Sequence, residues 1–333
     1  MVNAQVIAAG FYVPEEILDN NFFVNSSSNP YLVYIGQDEK QNPVFKQERV
    51  YITEQKILDS TGGIKERRKI AHGQTVVDLI EKAFINADFP ADKLEGIIVG
   101  TVSDETRYPS VACRTHGRIK ANNVRYTEDI GAACSGFTHA LDHARLKIQE
   151  EGGYYAVAGA EALTLMVDYH EINCNLFGDG AGVVILGPTQ DKERGILATE
   201  FRSDVSGIDF IYRDKLGLLR MPQGPKVFAK ATRGMVEIAH SIKEKAGISK
   251  DEVKMYFPHQ ANGRIVDYVG GKIDPQNTGK VYRNIERYGN MSAATVPVAF
   301  AEAWQNKLIK EGDAVVLLDV GSGLVFGSAL IRI

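Results

Sequence analysis

The sequence has few cysteines, and they follow no pattern that is typical of a disulfide framework or a zinc site. Its 333 residues include only Cys113, Cys134 and Cys174, without a Cys-x-x-Cys pair or histidines at metal-ligand spacing. The sequence therefore predicts neither a disulfide-stabilised fold nor a metal centre. Three cysteines without an obvious disulfide pairing are typical of a protein in a reducing compartment, which favours a cytoplasmic location.

Long apolar runs and a strong net charge are also absent. Lys and Arg total 38 against 42 Asp and Glu, a net charge of −4 at pH 7, which leaves no broad basic surface for nucleic acid or an anionic membrane. No apolar run reaches the length of a membrane span, and the first 14 residues do not resemble a secretion signal. We expect a soluble protein that binds neither nucleic acid nor membrane. Any acidic partner would dock at a local cationic patch.

Strand-like and helix-like segments alternate along the chain, as is typical of an α/β fold. The predicted strands are 5–9, 94–101 and 154–158 and, in a second series, 182–186, 255–257 and 314–319; the predicted helices are 76–87, 137–148, 229–245 and 296–307. We expect two similar halves, 1–190 and 191–333, joined near the Gly-Pro pair at 187–188. The polar and aromatic stretch at about 20–54 has no sustained helical period and predicts either a long loop or a hairpin.

Cys134 lies in the segment Gly-Ala-Ala-Cys-Ser-Gly-Phe at 131–137, directly before a predicted buried helix. At a helix start, backbone N–H groups and the helix dipole favour the thiolate, the form that accepts an acyl group. A lone cysteine among glycine and alanine is more often a small core residue. The interpretation of Cys134 as a nucleophile therefore depends on residues elsewhere.

Two other segments carry candidate partners for this thiol. His259 in Pro-His-Gln-Ala-Asn follows an apolar run at the exit of a predicted strand, a usual place for site residues in α/β proteins. Asn290 in Tyr-Gly-Asn-Met-Ser-Ala-Ala precedes a predicted helix. Alone, the histidine could be a buried structural residue and the asparagine a turn or N-cap residue. Together with a cysteine they are compatible with a papain-like protease or with an acyl-transfer enzyme.

The residues around these three resemble the active-site segments of the β-ketoacyl-acyl-carrier-protein synthase III family, of the thiolase superfamily. The resemblance covers nearly the whole chain, and its other motifs are Thr-Gly-Gly-Ile-Lys-Glu-Arg-Arg at 61–68, Phe-Gly-Asp-Gly-Ala-Gly at 177–182, Gly-Ser-Gly at 321–323 and Gly-Ser-Ala-Leu at 327–330. It implies a thiolase-like, five-layered αβαβα fold of two similar halves. It also implies a homodimer, no cofactor, and acyl-coenzyme A or acyl-carrier-protein thioesters as substrates.

The resemblance further implies a two-step reaction. Cys134 would take an acyl group from a thioester, and the enolate formed when a malonyl thioester loses CO2 would then attack that acyl group. The backbone N–H groups of Cys134 and Gly323 would form the oxyanion hole, while the ring N–H of His259 and the amide of Asn290 would donate to the enolate oxygen. The product would be a β-ketoacyl thioester.

Several other residues match family positions or motifs. Arg264 and Lys272 match a cationic region that docks the acidic carrier protein, and Tyr108 matches an aromatic residue that reaches across the dimer to the partner's acyl pocket; otherwise they would be ordinary surface cations and a core aromatic. The glycine-rich segment at 178–182 lacks phosphate-loop spacing and predicts a tight structural turn. The charged segment at 65–68 predicts a solvated face near the pantetheine entrance, where a docking role is an option.

The sequence also departs from the family pattern. Members that use acetyl-coenzyme A carry a Trp and an Arg that stack on the adenine, and this chain has Lys56 and Thr164 at the matching positions. With the insertion at 20–54, this favours a specialised relative that joins a longer acyl chain to a β-keto partner, in quinolone-like or alkylresorcinol-like metabolism.

Other members of the superfamily fit less well. A biosynthetic thiolase needs a second catalytic cysteine, yet none follows Cys174. A hydroxymethylglutaryl-coenzyme A synthase needs a glutamate base close to the cysteine, and no motif for one is recognised. Transfer of the acyl group to an alcohol or amine stays open. So does a non-catalytic binding subunit, although such a subunit has no chemical need to keep all of Cys134, His259 and Asn290.

Overall fold

The structure is a computed structural model that describes residues 2–25, 31–38, 43–48, 52–104, 106 and 108–333. Its strands are β1 Asn3–Tyr12, β2 Glu16–Asp19, β3 Tyr31–Gln37, β4 Pro43–Glu48, β5 Glu66–Lys69, β6 Leu94–Gly100, β7 Tyr126–Ile130, β8 Tyr154–Ala162, β9 Asp179–Thr189, β10 Gly195–Gly207, β11 Tyr212–Arg213, β12 Leu219–Arg220, β13 Val253–Pro258, β14 Ala314–Gly321 and β15 Gly323–Arg332. Its helices are α1 Asn20–Asn25, α2 Glu54–Thr61, α3 Val76–Asn86, α4 Val111–Ile119, α5 Gly136–Glu151, α6 Gly224–Ala246, α7 Gly263–Ile273, α8 Ile285–Tyr288 and α9 Thr295–Gln305.

Two sheets organise the chain. The first has the strand order β1-β9-β8-β6-β7 and the second has the order β10-β15-β14-β13. In each sheet parallel pairs, such as β6 with β8 and β13 with β14, adjoin antiparallel ones. The strand predicted at 182–186 belongs to the first sheet, because β9 pairs with β1 and β8. All strands of the first sheet precede 190, and all strands of the second follow 194.

Helices fill the space between the sheets and cover their outer faces. Helices α5 and α9 contact strands of both sheets, α3 and α4 cover the outer face of the first sheet, and α6 and α7 cover the outer face of the second. The layers therefore run helix, sheet, helix, sheet, helix. This is the five-layered αβαβα architecture that the family resemblance implies.

Helix α5 is the element that matters most for the site. Its buried residues Phe137, Leu141, Ala144 and Ile148 recur every three or four positions, so one apolar face lies in the core between the sheets. Small residues at Ala140 and Ala144 let a sheet approach the helix closely. Full burial of Phe137 contributes on the order of 2 to 3 kcal/mol. The helix is thereby held between both sheets, and its N-terminus has a fixed place.

The insertion contains a hairpin within its described residues. Strands β3 and β4 pair antiparallel, and α1 precedes them; the rest of this stretch, 26–30, 39–42 and 49–51, lies outside the described residues or side chains. The ring of Phe45 lies 5.9 Å from the guanidinium of Arg220 in β12. Since Leu219 and Met221 line the cavity described below, the hairpin packs beside the cavity wall.

None of the helices in the described ranges is both long and apolar enough to cross a bilayer.

Candidate active site

Cys134 lies in a single 3-10 turn, Ala133–Ser135, between β7 and α5. Ala133 adopts a φ of 48°, a left-handed conformation that is strained for a residue with a Cβ and is often found at functional sites. Gly321 of β14 packs against this turn, and a Cβ on it would be 2.6 Å from the Ala132 carbonyl and 3.1 Å from the Cys134 nitrogen. Glycine at 321 thus allows the second sheet to touch the backbone of the thiol-bearing residue.

The protonation of Cys134 differs from the expectation. Burial raises the pKa of its thiol to about 12, a hydrogen bond with the Ser292 side chain opposes that rise, and the carboxyl groups of Glu161 and Asp319 add to it. A backbone hydrogen bond at Cys134 also lowers the thiol pKa, as expected at a helix start. Loss of water around the sulfur outweighs it, so the thiol rather than the thiolate is the favoured form in the protein alone.

His259 follows β13 and is buried, and its backbone N–H donates to the Leu318 carbonyl at 2.6 Å. Its Nδ1 lies 2.6 Å from the Thr295 Oγ1, which in turn lies 2.6 Å from the Ser292 carbonyl oxygen. The carbonyl can only accept, so the Thr295 hydroxyl donates to it and accepts a hydrogen from Nδ1. Burial lowers the pKa of His259 to about 3, so the ring is neutral and presents the lone pair of Nε2. The N–H expected to face an enolate is thus bonded to Thr295 here.

Asn290 is held from both its backbone and its side chain. Its backbone N–H donates to the Leu176 carbonyl at 2.8 Å, and its carbonyl accepts from the Gly178 N–H at 3.0 Å. Its Oδ1 accepts from the Ser292 N–H at 2.8 Å. With the oxygen occupied, the NH2 end of the amide is the group left to donate to another molecule.

The glycine-rich segment at 178–182 is not the tight turn that its composition predicted. Gly178 leads into β9, and the following residues are extended and paired with β8. A Cβ at Gly178 would lie 2.3 Å from the Tyr288 carbonyl, and one at Gly182 would lie 2.5 Å from the Pro297 backbone. These glycines are close-approach positions that let the segment carrying Asn290 pack on the first sheet.

One cavity of about 710 Å³ brings the three predicted residues together, and Cys134, His259 and Asn290 all line it. Apolar side chains make up most of the remaining wall, among them Ile57, Met166, Leu176, Phe177, Met221 and Phe228. A neutral thiol, a neutral imidazole and an amide on an apolar wall suit the chemistry of an acyl thioester better than that of a charged substrate.

The other predicted residues lie around this cavity in different ways. Arg264 is exposed at its wall and lies 5.7 Å from the Phe228 ring, and Lys272 is exposed two turns further along α7, 5.6 Å from the Tyr268 ring. Tyr108 is 85% exposed and is not part of the wall. Gly323 has a φ of 134° and lies between Ser322 and Leu324, which do line the cavity.

Two matches to family positions change with the structure. Lys56 lines the cavity, but Thr164 is buried, and its N–H and hydroxyl donate to the Asp179 carboxylate. Thr164 therefore cannot occupy an exposed stacking position, and the exposed side chain next to it is Leu165. The solvated face predicted at 65–68 is wrong at Arg67, which is fully buried and donates to Asn20 and the Asn175 carbonyl.

Sequence reasoning missed four polar residues of the site. Glu161, Ser292 and Asp319 act on the thiol, and Thr295 is bonded to His259. Glu161 and Asp319 both lie near the carboxyl ends of buried apolar strands, β8 and β14. An acid at that place in an α/β sheet is a recognised signal of a site, and it was available in the sequence. The roles of Ser292 and Thr295 depend on hydrogen bonds that no sequence pattern specifies.

No group of three or more His, Cys, Asp or Glu side chains within the described residues could hold a metal ion.

The layered fold and the cavity thiol at the start of its central helix define a thiolase-type protein. Family models for 3-oxoacyl-[acyl-carrier-protein (ACP)] synthase III match at residues 128–205, and for the C-terminal part of that enzyme at residues 243–333. The beta-ketoacyl-[acyl-carrier-protein] synthase III of Aquifex aeolicus is 34% identical over 99% of this chain and 100% of its own length. That of Geobacillus kaustophilus is 32% identical over 99% of each.

The crystal structure of the Aquifex aeolicus enzyme superposes with a TM-score of 0.87, covering 99% of this chain and 100% of that one. The chain belongs to the 3-oxoacyl-[acyl-carrier-protein] synthase III family. It is an acyltransferase of that condensing type.

Proposed function

We propose that Cys134 accepts an acyl group from a thioester and that His259 and Asn290 then support decarboxylation of a malonyl thioester on the same cavity wall. The observation that carries this proposal is the joint placement of a thiol, a neutral imidazole and an amide NH2 in one apolar cavity. The enolate formed on loss of CO2 attacks the Cys134 thioester, and the thiol is regenerated as the β-ketoacyl thioester leaves.

The oxyanion formed in acyl transfer is stabilised by the backbone N–H groups of Cys134 and Gly323. The close contact of Gly321 with the Ala133–Ser135 turn supports this assignment, because it brings the Gly-Ser-Gly segment to the backbone of Cys134. One such donor contributes about 3 to 4 kcal/mol to the transition state.

Asn290 donates its amide N–H to the malonyl thioester oxygen as negative charge develops there. For His259 to donate beside it, the ring proton must sit on Nε2, which requires the Thr295 hydroxyl to turn from the Ser292 carbonyl toward Nδ1. Both donors are neutral, so neither attracts the malonyl carboxylate, and loss of CO2 is driven by stabilisation of the enolate.

The acyl group is larger than acetyl in this proposal. A cavity of about 710 Å³ with a mostly apolar wall has room for an extended chain as well as a pantetheine arm. The neighbour of Thr164 that faces solvent is the uncharged Leu165, which offers no cation to an adenine ring. Both observations favour an acyl carrier protein over coenzyme A as the first donor, in a specialised pathway.

The carrier protein docks on the face of α7 that holds Arg264, Tyr268 and Lys272. These residues are spaced four apart, so they share one side of the helix, and all three are exposed. An acidic carrier would be attracted to the two cations and would present its pantetheine arm beside Arg264 at the cavity wall.

The enzyme is a homodimer in the cytoplasm. Among the described strands, β7 ends the first sheet with an unpaired edge, which a second copy can cover, and the 85% exposed Tyr108 is available to close the partner's acyl pocket. The three cysteines are all unpaired, which supports a reducing compartment.

Intact-mass measurement tests the reaction. The wild type offered a panel of acyl-coenzyme A and acyl-carrier thioesters should gain one acyl mass on Cys134, with carrier thioesters reacting faster, and Cys134→Ala should gain none. His259→Ala should still be acylated but should release CO2 from malonyl thioesters at least about a hundredfold more slowly, because an enolate donor is lost.

The controls separate docking from chemistry. Arg264→Glu should slow acylation by carrier thioesters but not by coenzyme A thioesters, whereas Lys192→Glu, at an exposed turn between the sheets, should change neither. Acylation that persists in Cys134→Ala would refute the nucleophile assignment. Acetyl-coenzyme A reacting as fast as the best carrier thioester would refute the specialised donor.

A further inference from the structure

Glu161 is a buried acid that the proposed condensation does not use. It lies near the end of β8 and has no exposed surface. Oε2 accepts four hydrogen bonds, from the Thr101 hydroxyl, the Val102 N–H and both the N–H and hydroxyl of Ser103. Oε1 accepts one, from the Ser292 hydroxyl at 3.0 Å. The two carboxyl oxygens thus differ in their number of hydrogen bonds, and Oε1 is the one that can still accept a proton.

No cation among the described residues balances the charge of Glu161. Within the described residues no Lys, Arg or His forms an ion pair with it, and the elements packed on it, the end of β6 and the turn Ser292–Ala294, offer only hydroxyls and backbone groups. The acid on neighbouring β9, Asp179, bonds to Ile70 and Thr164 instead. Burial raises the pKa of Glu161 to about 7, so this acid exchanges a proton in the physiological range.

Ser292 connects this acid to the nucleophile. Its hydroxyl donates to Glu161 Oε1. The turn that carries Ser292 packs against the turn that carries Cys134, and the Ser292 side chain lowers the pKa of the Cys134 thiol. Ser292 has a φ of 47°, and Ala133 beside Cys134 has a φ of 48°. Two non-glycine residues in left-handed conformations therefore lie in the two turns that meet here, which fits a place where geometry serves function.

We propose that Glu161 receives the Cys134 proton through the Ser292 hydroxyl when the thiolate forms, so that it serves as the proton store of the active site. The S–H bond of Cys134 breaks as its proton moves to the Ser292 oxygen, and the Ser292 O–H proton moves to Glu161 Oε1. The result is a thiolate, an intact serine hydroxyl that now donates to the sulfur, and a neutral carboxyl group. The proton returns by the same path when the thiolate is released after condensation.

The alternative acceptor is His259, and the structure favours Glu161 over it. The pKa of His259 is lowered to about 3 while that of Glu161 is raised to about 7. The Glu161 carboxylate is therefore a stronger base than the His259 ring. Moving the proton to Glu161 also removes a negative charge from beside the forming thiolate. Asp319 is the other acid acting on Cys134, and neither of its carboxyl oxygens has a hydrogen-bond partner among the described residues. Glu161 is therefore a positioning residue that acts on the thiol through Ser292.

This inference rests on the proposed function for its role in turnover, but its test does not. The rate of Cys134 alkylation by iodoacetamide is measured from pH 5.5 to 9.5, with peptide mapping to separate Cys134 from Cys113 and Cys174. The wild type should show an inflection near pH 7, where Glu161 ionises. Glu161→Gln should lack it and react at least about tenfold more slowly at pH 8.

The opposite result discriminates between proton storage and simple repulsion. If Glu161 only repels the thiolate, Glu161→Gln removes a negative charge and Cys134 should react faster than in the wild type at pH 8. A faster or unchanged rate overturns the proposal.

Matched variants protect the test against misfolding. Thr101→Val removes one donor to Oε2 and leaves the path through Oε1, so it should keep the inflection. Ser292→Ala keeps the other four hydrogen bonds of Glu161 and should lose the inflection; if Glu161→Gln does not fold, an inflection retained in Ser292→Ala overturns the proposal. Acylation of the wild type by thioesters tests the proposed function separately. If the wild type forms no acyl adduct but the variants lose the inflection, the proposed condensation is refuted and the proton-transfer role of Glu161 is supported.

Discussion

At the scale of single residues, burial without a counter-charge sets the chemistry of this site. The pKa of Cys134 and that of Glu161 are raised and that of His259 is lowered, in each case chiefly because the charged form loses water. Cys134 and His259 are therefore neutral at rest in an apolar cavity, while Glu161 exchanges its proton near pH 7. Charge has to be created by proton movement during the reaction, which makes the hydroxyls of Ser292 and Thr295 important.

The raised pKa of Glu161 predicts a pH-dependent contribution to stability. Because the folded protein holds this proton more tightly than the unfolded chain, the contribution is fully present below pH 4.5 and is lost as the pH rises to about 7. The difference in the free energy of unfolding between wild type and Glu161→Gln should thus fall by roughly 3 kcal/mol between pH 4.5 and 8. Urea unfolding of both proteins at several pH values measures it, and a constant or growing difference would contradict the raised pKa.

At the scale of elements, strong apolar periodicity in the sequence predicted whether a segment is a helix or a strand. It did not predict segments whose conformation is set by pairing or packing with another element. Helices α5 and α9 and strands β6 and β14 follow from their apolar patterns. Strand β10 was missed because much of it is half-exposed and polar, and its place is set by pairing with β15. The glycines at 178–182 were assigned to a turn because composition cannot distinguish a turn from a close approach of two elements.

The same limit applies within the site. Cys134, His259 and Asn290 stand in motifs that can be recognised in the sequence, and the cavity does bring them together. Glu161 has no motif around it, and the link through Ser292 joins residues that are 131 positions apart. Long-range hydrogen bonds of this kind follow only from the packed fold.

The close approach at Gly178 predicts a local effect of an added methyl group. In Gly178→Ala the new Cβ would lie 2.3 Å from the Tyr288 carbonyl, so the segment holding Asn290 must shift. We expect a loss of about 1 to 3 kcal/mol in the free energy of unfolding and slower release of CO2 from malonyl thioesters.

Gly279→Ala is the matched control, since a Cβ added at this residue would have no atom of the described residues within 4 Å. It should leave decarboxylation unchanged and shift stability by less than about 1 kcal/mol. If the two variants behave alike in denaturation and CO2 release, packing at Gly178 does not hold Asn290.

At the scale of the whole molecule, the proposed dimer would complete the cavity. Tyr108 is too exposed to serve its own chain, and the described strands of one copy leave the β7 edge unpaired. A second copy would cover the β7 edge and would provide a pocket for Tyr108. Selection of the acyl chain would then depend on both subunits of the dimer.

Tyr108→Ala tests this at the level of substrate choice. Light scattering should give twice the chain mass for both wild type and variant, while the variant should shift its acylation preference toward longer chains because the closing ring is lost. Ile85→Ala, which trims another exposed apolar side chain, on α3, should keep the wild-type preference. A monomeric wild type, or an unchanged preference in Tyr108→Ala, would contradict the role of Tyr108.

Because α5 lies between two sheets, different parts of the molecule should unfold locally to different degrees. The buried face of α5 packs against both sheets, so exchange of the amide hydrogens of Phe137, Leu141 and Ala144 with solvent deuterium should require unfolding of the whole chain. The hairpin of β3 and β4, which among the described strands pairs only with itself, can lose its hydrogen bonds alone. Local motion of surface segments such as this hairpin can therefore accompany carrier docking and substrate entry. The backbone around Cys134 should keep its structure during turnover.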